Sequence, residues 1–220
     1  MGDARYQNYK NSKGKYIVSL DSDQQMDPNL IEVCVDFCEN ENFDALIISE
    51  KSIPKANSGF LEKLLTYDKW VIDQCKDSDV VFGTACPRFF KKDSLKGIKW
   101  PKHLGIFDDT ILYTQLIAKK SKVKYVSSSS IRHSEMTSWW ILMRKFHRYG
   151  KSYPIAFKQN PATIAGHSLP RRAYFSGVAF SKPNYFLGLI LLYTVKAVSA
   201  SSGVAAYFIE KGFSSKKSNL

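Results

Sequence analysis

The chain has 220 residues, 44% hydrophobic and 24% charged, with 12 Gly and 8 Pro. That length accommodates one domain, and the composition excludes collagen-like, coiled-coil and disordered chains. Lys and Arg number 32 against 20 Asp and Glu, for a net charge of +12, which favours an anionic partner: a nucleotide, a lipid phosphate, a membrane surface or nucleic acid.

The first fifteen residues are polar and predict no signal peptide. A turn at Lys13-Gly14-Lys15 leads into an apolar, β-favouring run at residues 16–20. That run reads as a buried strand delivering Asp21 and Asp23 at its C-terminal end. Asp27-Pro28 predicts the start of a helix, with Asp27 as N-cap and an apolar face of Leu30, Ile31, Val33, Cys34, Phe37 and Cys38. A polar loop over residues 39–44 precedes a second strand at 45–49. Strand, helix, strand is the opening of an α/β sheet. Residues 52–58 form a loop with Pro54, and residues 60–74 a helix. Residues 80–85 and 88–90 read as extended, 97–108 as a loop, 109–119 as a helix, and 124–127 as a last strand followed by the polar run Ser127 to Ser130. Residues 139–149 predict a basic amphipathic helix ended by Gly150.

Cys34, Cys38, Cys75 and Cys86 form no C-x-x-C pair, so a disulfide framework and a structural zinc site are not expected, and a reducing compartment is. Residues 185–209 are mostly apolar and about as long as a membrane span needs. Lys196 sits at their centre, and a mid-span Lys costs roughly 2.5–3.5 kcal/mol. Both a span and an interfacial helix pair packed on the domain stay open, the pair being favoured.

Two carboxylates one residue apart at a strand end suit a divalent cation with oxygen ligands, Mg²⁺ or Mn²⁺. The stretch around Asp21-Ser22-Asp23 resembles the strand and D-x-D of family 2 glycosyltransferases with the GT-A fold. In order downstream, the loop from Ile48 to Lys55 with Gly59-Phe60, the run Arg88-Phe89-Phe90, Phe107-Asp108-Asp109, Ile131-Arg132-His133 and the basic-aromatic segment from Arg144 to Ser152 resemble a prokaryotic branch of that family. The resemblance implies a truncated GT-A, Rossmann-like mixed sheet with helices on both faces. Residues 1–152 form this partial domain and residues 153–220 a hydrophobic C-terminal helical extension, with membrane association left open.

The same resemblance implies metal-dependent, inverting transfer of a sugar from a nucleoside-diphosphate sugar to a hydroxyl of a glycan or lipid-linked acceptor. Asp23 ligates the metal, with Asp21 on the metal or the ribose, and His133 completes the metal site. Asp109 is the general base, and Asp108 stands where the family usually has Glu, so which of the two reaches the acceptor stays open. Arg144, Lys145 and Arg148 clamp the leaving diphosphate, and Arg88 positions a phosphate or serves as an ion-pair partner. Each has a plainer reading: Asp108 or Asp109 as helix cap, His133 as a surface histidine, the α-helical arginines as a solvated or lipid-facing basic face.

The family's first two βα units, which carry the nucleotide-binding strands, are missing from this sequence. A raw parallel sheet edge is therefore expected, and three explanations stay open: a misplaced start, a partner chain that supplies the first half, or a decayed remnant; the alternative function is a non-catalytic half-domain or partner subunit of a glycosyltransferase complex. The expected location is cytoplasmic, peripheral at an anionic inner membrane face. No nucleic-acid-binding motif is present, and nucleic acid is not an expected partner.

Overall fold

The computed structural model describes residues 2–53, 55–74, 86–102, 104–168 and 172–217. The expected strand at 80–85, and Cys75, lie outside the described residues. Five strands form one mixed sheet: β1 (Tyr16–Val18), β2 (Gln24–Met26), β3 (Ala45–Ser52), β4 (Phe89–Lys91) and β5 (Val123–His133), in the order β1-β4-β3-β5-β2. β3 and β5 are parallel, and every other pairing is antiparallel. The sheet carries α1 (Gly2–Asn11), α2 (Leu30–Asn40), α3 (Phe60–Gln74) and α4 (Asp108–Ala118), followed by α5 (Trp139–Gln159), α6 (Pro161–Ser168), α7 (Gly177–Phe180) and α8 (Pro183–Lys217).

Residues of β3 alternate between the two faces with a period of two. Leu46 and Ile48 pack with Phe89, Val126 and Ile131 against Leu30, Cys34 and Cys38 of α2. Ala45 meets Leu112 and Leu116 of α4, and Ile47 meets Tyr113. Helices therefore cover both faces, as expected of an α/β sheet. Cys34 and Cys38 are free thiols in this core, and burial pushes the Cys34 thiol up to about 12. α3 begins where Glu62 turns back to accept the Gly59 backbone N–H at 2.9 Å, which caps its first turn.

Several local expectations are corrected. Asp27 does not cap α2, whose N-cap position is Asn29. Its carboxylate instead accepts from Ser130 N (2.9 Å), Ser130 Oγ (2.6 Å) and Arg132 Nε (2.9 Å), tying the start of α2 to β5. The polar run 127–130 is not a loop after the last strand: β5 continues through it to His133. The register with β3 jumps from Ile48↔Val126 to Ser49↔Ser130, so residues 127–129 bulge out of the ladder. Among the described residues the sheet shows no raw parallel edge: both edge strands, β1 and β2, are three residues long and pair antiparallel.

Gly150 does not end its helix, since α5 continues to Gln159. It is a crossing point: a Cβ there would lie 1.9 Å from the Ala200 carbonyl oxygen of α8, and one on Gly203 would lie 2.0 Å from the His147 carbonyl oxygen. The two backbones touch, which only glycine permits at both positions. Residues 185–209 lie in a single helix of 35 residues, α8, where a helix pair was expected. It packs on α3 and α5 around Leu64, Leu142, Leu189 and Leu192. The 152/153 boundary falls inside α5.

Candidate active site

The D-x-D segment crosses one end of the sheet. β1 and β2 lie on opposite edges, so residues 19–23 pass over the ends of the three strands between them. Backbone bonds hold this strap: Ser19 N to Arg88 O at 2.7 Å, and Gln24 N to Asp21 O at 3.1 Å. Gln24 also accepts the Asp21 N–H through Oε1 at 2.9 Å. The strap lies at the C-terminal ends of parallel β3 and β5, where α/β sheets place their ligands.

Asp21 sits between two guanidinium groups, Arg88 Nη2 at 3.4 Å and Arg5 Nη2 at 3.8 Å. Arg5, from α1, also pairs with Asp108 Oδ2 at 3.1 Å and faces Asp109 Oδ2 at 3.7 Å. Arg88 further pairs with Glu50 Oε1 at 3.1 Å. Four carboxylates therefore surround two guanidinium groups. Burial works against the charge of Arg88, yet Glu50, Asp21 and Asp109 outweigh it and hold its pKa above the usual arginine value. The Arg88 Nη1 is buried without a hydrogen-bond partner.

Asp108 and Asp109 open α4 behind Phe107, whose backbone is left-handed (φ 64°). That conformation is strained for a bulky residue and sets the direction from which the two acids enter the cleft. They occupy different environments. Asp108 is 3% exposed and bound to Arg5; burial pushes its carboxyl up, against the pull of that guanidinium. The Asp109 side chain is 34% exposed, and its Oδ1 accepts the Thr110 N–H at 2.8 Å.

Asp23 turns to a second group. Its Oδ2 lies 3.1 Å from His133 Nε2, at the end of β5. The other imidazole nitrogen, Nδ1, is buried and faces Glu135 Oε1 at 3.7 Å, beyond hydrogen-bond length. Glu135 accepts from Ser52 Oγ at 2.6 Å and pairs with Lys69 Nζ at 2.7 Å. Burial opposes its ionisation, but His133, Lys69 and Ser52 together hold its carboxyl down to about 2.

The three residues expected to hold a metal are thus divided. Asp23 and His133 are adjacent, while Asp21 faces the arginines. Among the described residues no group of three or more His, Cys, Asp or Glu side chains converges as a metal set. The Asp23–His133 pair nevertheless fits a cation that takes its remaining ligands from phosphate oxygens and water, and a carboxylate behind the second imidazole nitrogen is a common support for a ligating histidine. Arg144 and Arg148 are exposed on α5, beside Ile141 in a shallow cleft, and Lys145 lies over the Tyr149 ring at 5.7 Å. No contact among the described residues joins these three to the carboxylates.

Arg5, Glu50, Lys69 and Glu135 were not singled out from the sequence. Glu135 was within reach, two residues after His133. Arg5 was not, because its partner Asp108 is 103 positions away.

A mixed α/β sheet with carboxylates gathered at the C-terminal ends of its parallel strands has its candidate site where open α/β sheets bind ligands. Residues 1–98 match the model of glycosyl transferase family 2. Among solved structures, the crystal structure of S. aureus TarS 1-349 is similar, with a TM-score of 0.46 at 16% identity over 84% of this chain and 53% of that one. The chain thus spans about half the length of that structure. No curated protein matches the chain.

Proposed function

We propose that the protein transfers a sugar from a nucleoside-diphosphate sugar to a hydroxyl of a glycan or lipid-linked acceptor, with inversion, at the cytoplasmic face of a membrane. The observation that carries this reading is the contrast between Asp108 and Asp109. Asp108 is enclosed and committed to Arg5, whereas Asp109 presents a partly exposed carboxylate beside it. A general base has to reach the acceptor hydroxyl, and exposure selects Asp109. Asp109 removes the hydroxyl proton as the oxygen attacks the anomeric carbon. The bond from that carbon to the diphosphate breaks, and the nucleotide leaves with the electron pair. Asp108 and Arg5 hold Asp109 in place.

Asp23 and His133 would hold Mg²⁺ or Mn²⁺, and such an ion offsets the charge of a diphosphate. Asp21, set between Arg5 and Arg88, is available to the ribose. The exposed guanidinium groups of Arg144 and Arg148, with Lys145, suit the phosphates of the leaving group.

The test pairs two variants with two assays, nucleotide binding with and without Mn²⁺ and transfer to a hydroxyl acceptor. Asp109→Asn leaves nucleotide binding intact and abolishes transfer, and transfer at the native rate would place the base elsewhere. Asp23→Ala removes the metal-dependent part of nucleotide binding. If the native chain binds no nucleotide at all, the non-catalytic reading replaces this one.

A further inference from the structure

We propose that α8 lies in the plane of an anionic lipid bilayer, docked through one apolar face, and does not cross it. This inference is independent of the chemistry proposed above. By length and composition α8 is long and apolar enough to span. Its attachments argue otherwise. Lys196, at the middle of the apolar run, is turned inward, with Nζ 3.2 Å from Asp68 Oδ2 on α3. Asp68 is buried and also accepts from the Tyr174 and Tyr193 hydroxyls. α3 is in turn fixed to the sheet, where Asp73 accepts from Ser49 Oγ of β3 at 3.0 Å.

The attachment continues along the helix. Gly188 sits against Leu64 and Phe60 of α3, Gly203 against His147 and Gly150 of α5, and Glu210 pairs with Lys151 of α5. From Gly188 to Glu210 is about 33 Å of helix at 1.5 Å per residue, roughly the thickness of the hydrocarbon layer. A spanning α8 would drag the Asp68–Lys196 pair and α3 behind it into hydrocarbon. A helix lying flat keeps all of them on the water side.

The opposite side of α8 is unpartnered. Leu187, Ile190, Leu191, Val198, Phe208 and Ile209 project from it, with exposures from 50% at Leu191 to 65% at Val198. Their spacing follows the helical repeat, so they share one side, with Thr194, Ser201 and Ser202 between its two apolar ends. Charge identifies the occupant. No acidic residue occurs between Pro183 and Ile209, and the chain carries a net +12. Lys182 and Lys211 stand at the two ends of that side. An apolar face with Lys at both ends matches an interface of acyl chains below anionic headgroups.

The experiment uses the full chain and two sets of vesicles, pure phosphatidylcholine and phosphatidylcholine with phosphatidylglycerol. The protein sediments with the anionic vesicles, and alkaline carbonate releases it. Leu191→Gln/Val198→Gln, both exposed positions, keeps the native circular dichroism spectrum and binds at least about tenfold more weakly. Retention through carbonate treatment would establish a span and overturn the proposal. Equal binding by the double variant would overturn the assigned face. A native chain that ignores vesicles but dimerises in solution, with the variant monomeric, would give that face to a second copy instead.

Discussion

Replacing Asp68 by Asn tests whether the inward-facing charge on α8 is anchored as the contacts indicate. Asp68 Oδ2 lies 3.2 Å from Lys196 Nζ, and the Lys196 side chain is only 13% exposed. Removing one member of a buried ion pair leaves the other charge without compensation, at a cost of about 3–5 kcal/mol. An amide retains one oxygen for the Tyr174 and Tyr193 hydroxyls, so Asp68→Asn is expected near the lower end, about 3 kcal/mol. Lys196→Met leaves the carboxylate buried and costs a similar amount. The double variant removes both charges and is expected to be more stable than the sum of the singles by about 2 kcal/mol. Urea unfolding of the four proteins gives the cycle, read from midpoints at constant slope. Additivity to within about 0.5 kcal/mol would show that the two charges do not interact, and the argument from Lys196 against a span would fail with it.

The helix crossing gives a second prediction. A Cβ on Gly203 would lie 2.0 Å from the His147 carbonyl oxygen, so Gly203→Ala forces α5 and α8 apart and destabilises by about 1–3 kcal/mol in the same unfolding assay. Gly212, around which a Cβ would meet nothing within 4 Å, is the control, and Gly212→Ala leaves the midpoint unchanged or raises it. Acid unfolding gives a third. Glu135 is held from 4.5 down to about 2, so its stabilisation is fully present above pH 4.5 and is lost as pH falls toward 2. The whole shift corresponds to about 3 kcal/mol, and Glu135→Gln is expected to flatten the acid limb of the stability profile between those pH values. An unchanged acid limb would mean that Glu135 is not clamped by Lys69, Ser52 and His133.

Elements with strong local signals were legible in the sequence. α3 occupies the expected residues because a Gly59–Glu62 cap stands before a well-patterned apolar face. The core of β3 was readable from four consecutive apolar residues. β2 was not, since Gln24-Gln25-Met26 has no β pattern and is a strand only because β5 reaches far enough to pair with it. Gly150 signals a helix end to any local rule, yet it serves a contact with a residue 50 positions later. In the candidate site, the residue types at Asp21, Asp23, Asp108, Asp109 and His133 stood out in the sequence, but their grouping did not. Spacing gave no sign that Asp21 and Asp23 would face different partners, or that Arg5 would bridge three of the carboxylates.

The strap at residues 19–23 has a mechanical consequence. A handful of residues, closed by the turn in which Gln24 N donates to Asp21 O, joins the two margins of the sheet, and its ends are stitched into opposite edge strands. A short connection pinned at both ends and closed by its own turn has few free dihedrals, so Asp21 and Asp23 move with the frame that carries them. Any force that splays the sheet, or any ligand that draws the two acids together, is transmitted directly to both margins. The short edge strands, three ladder pairs each, are then the compliant parts, and they would yield before the strap does.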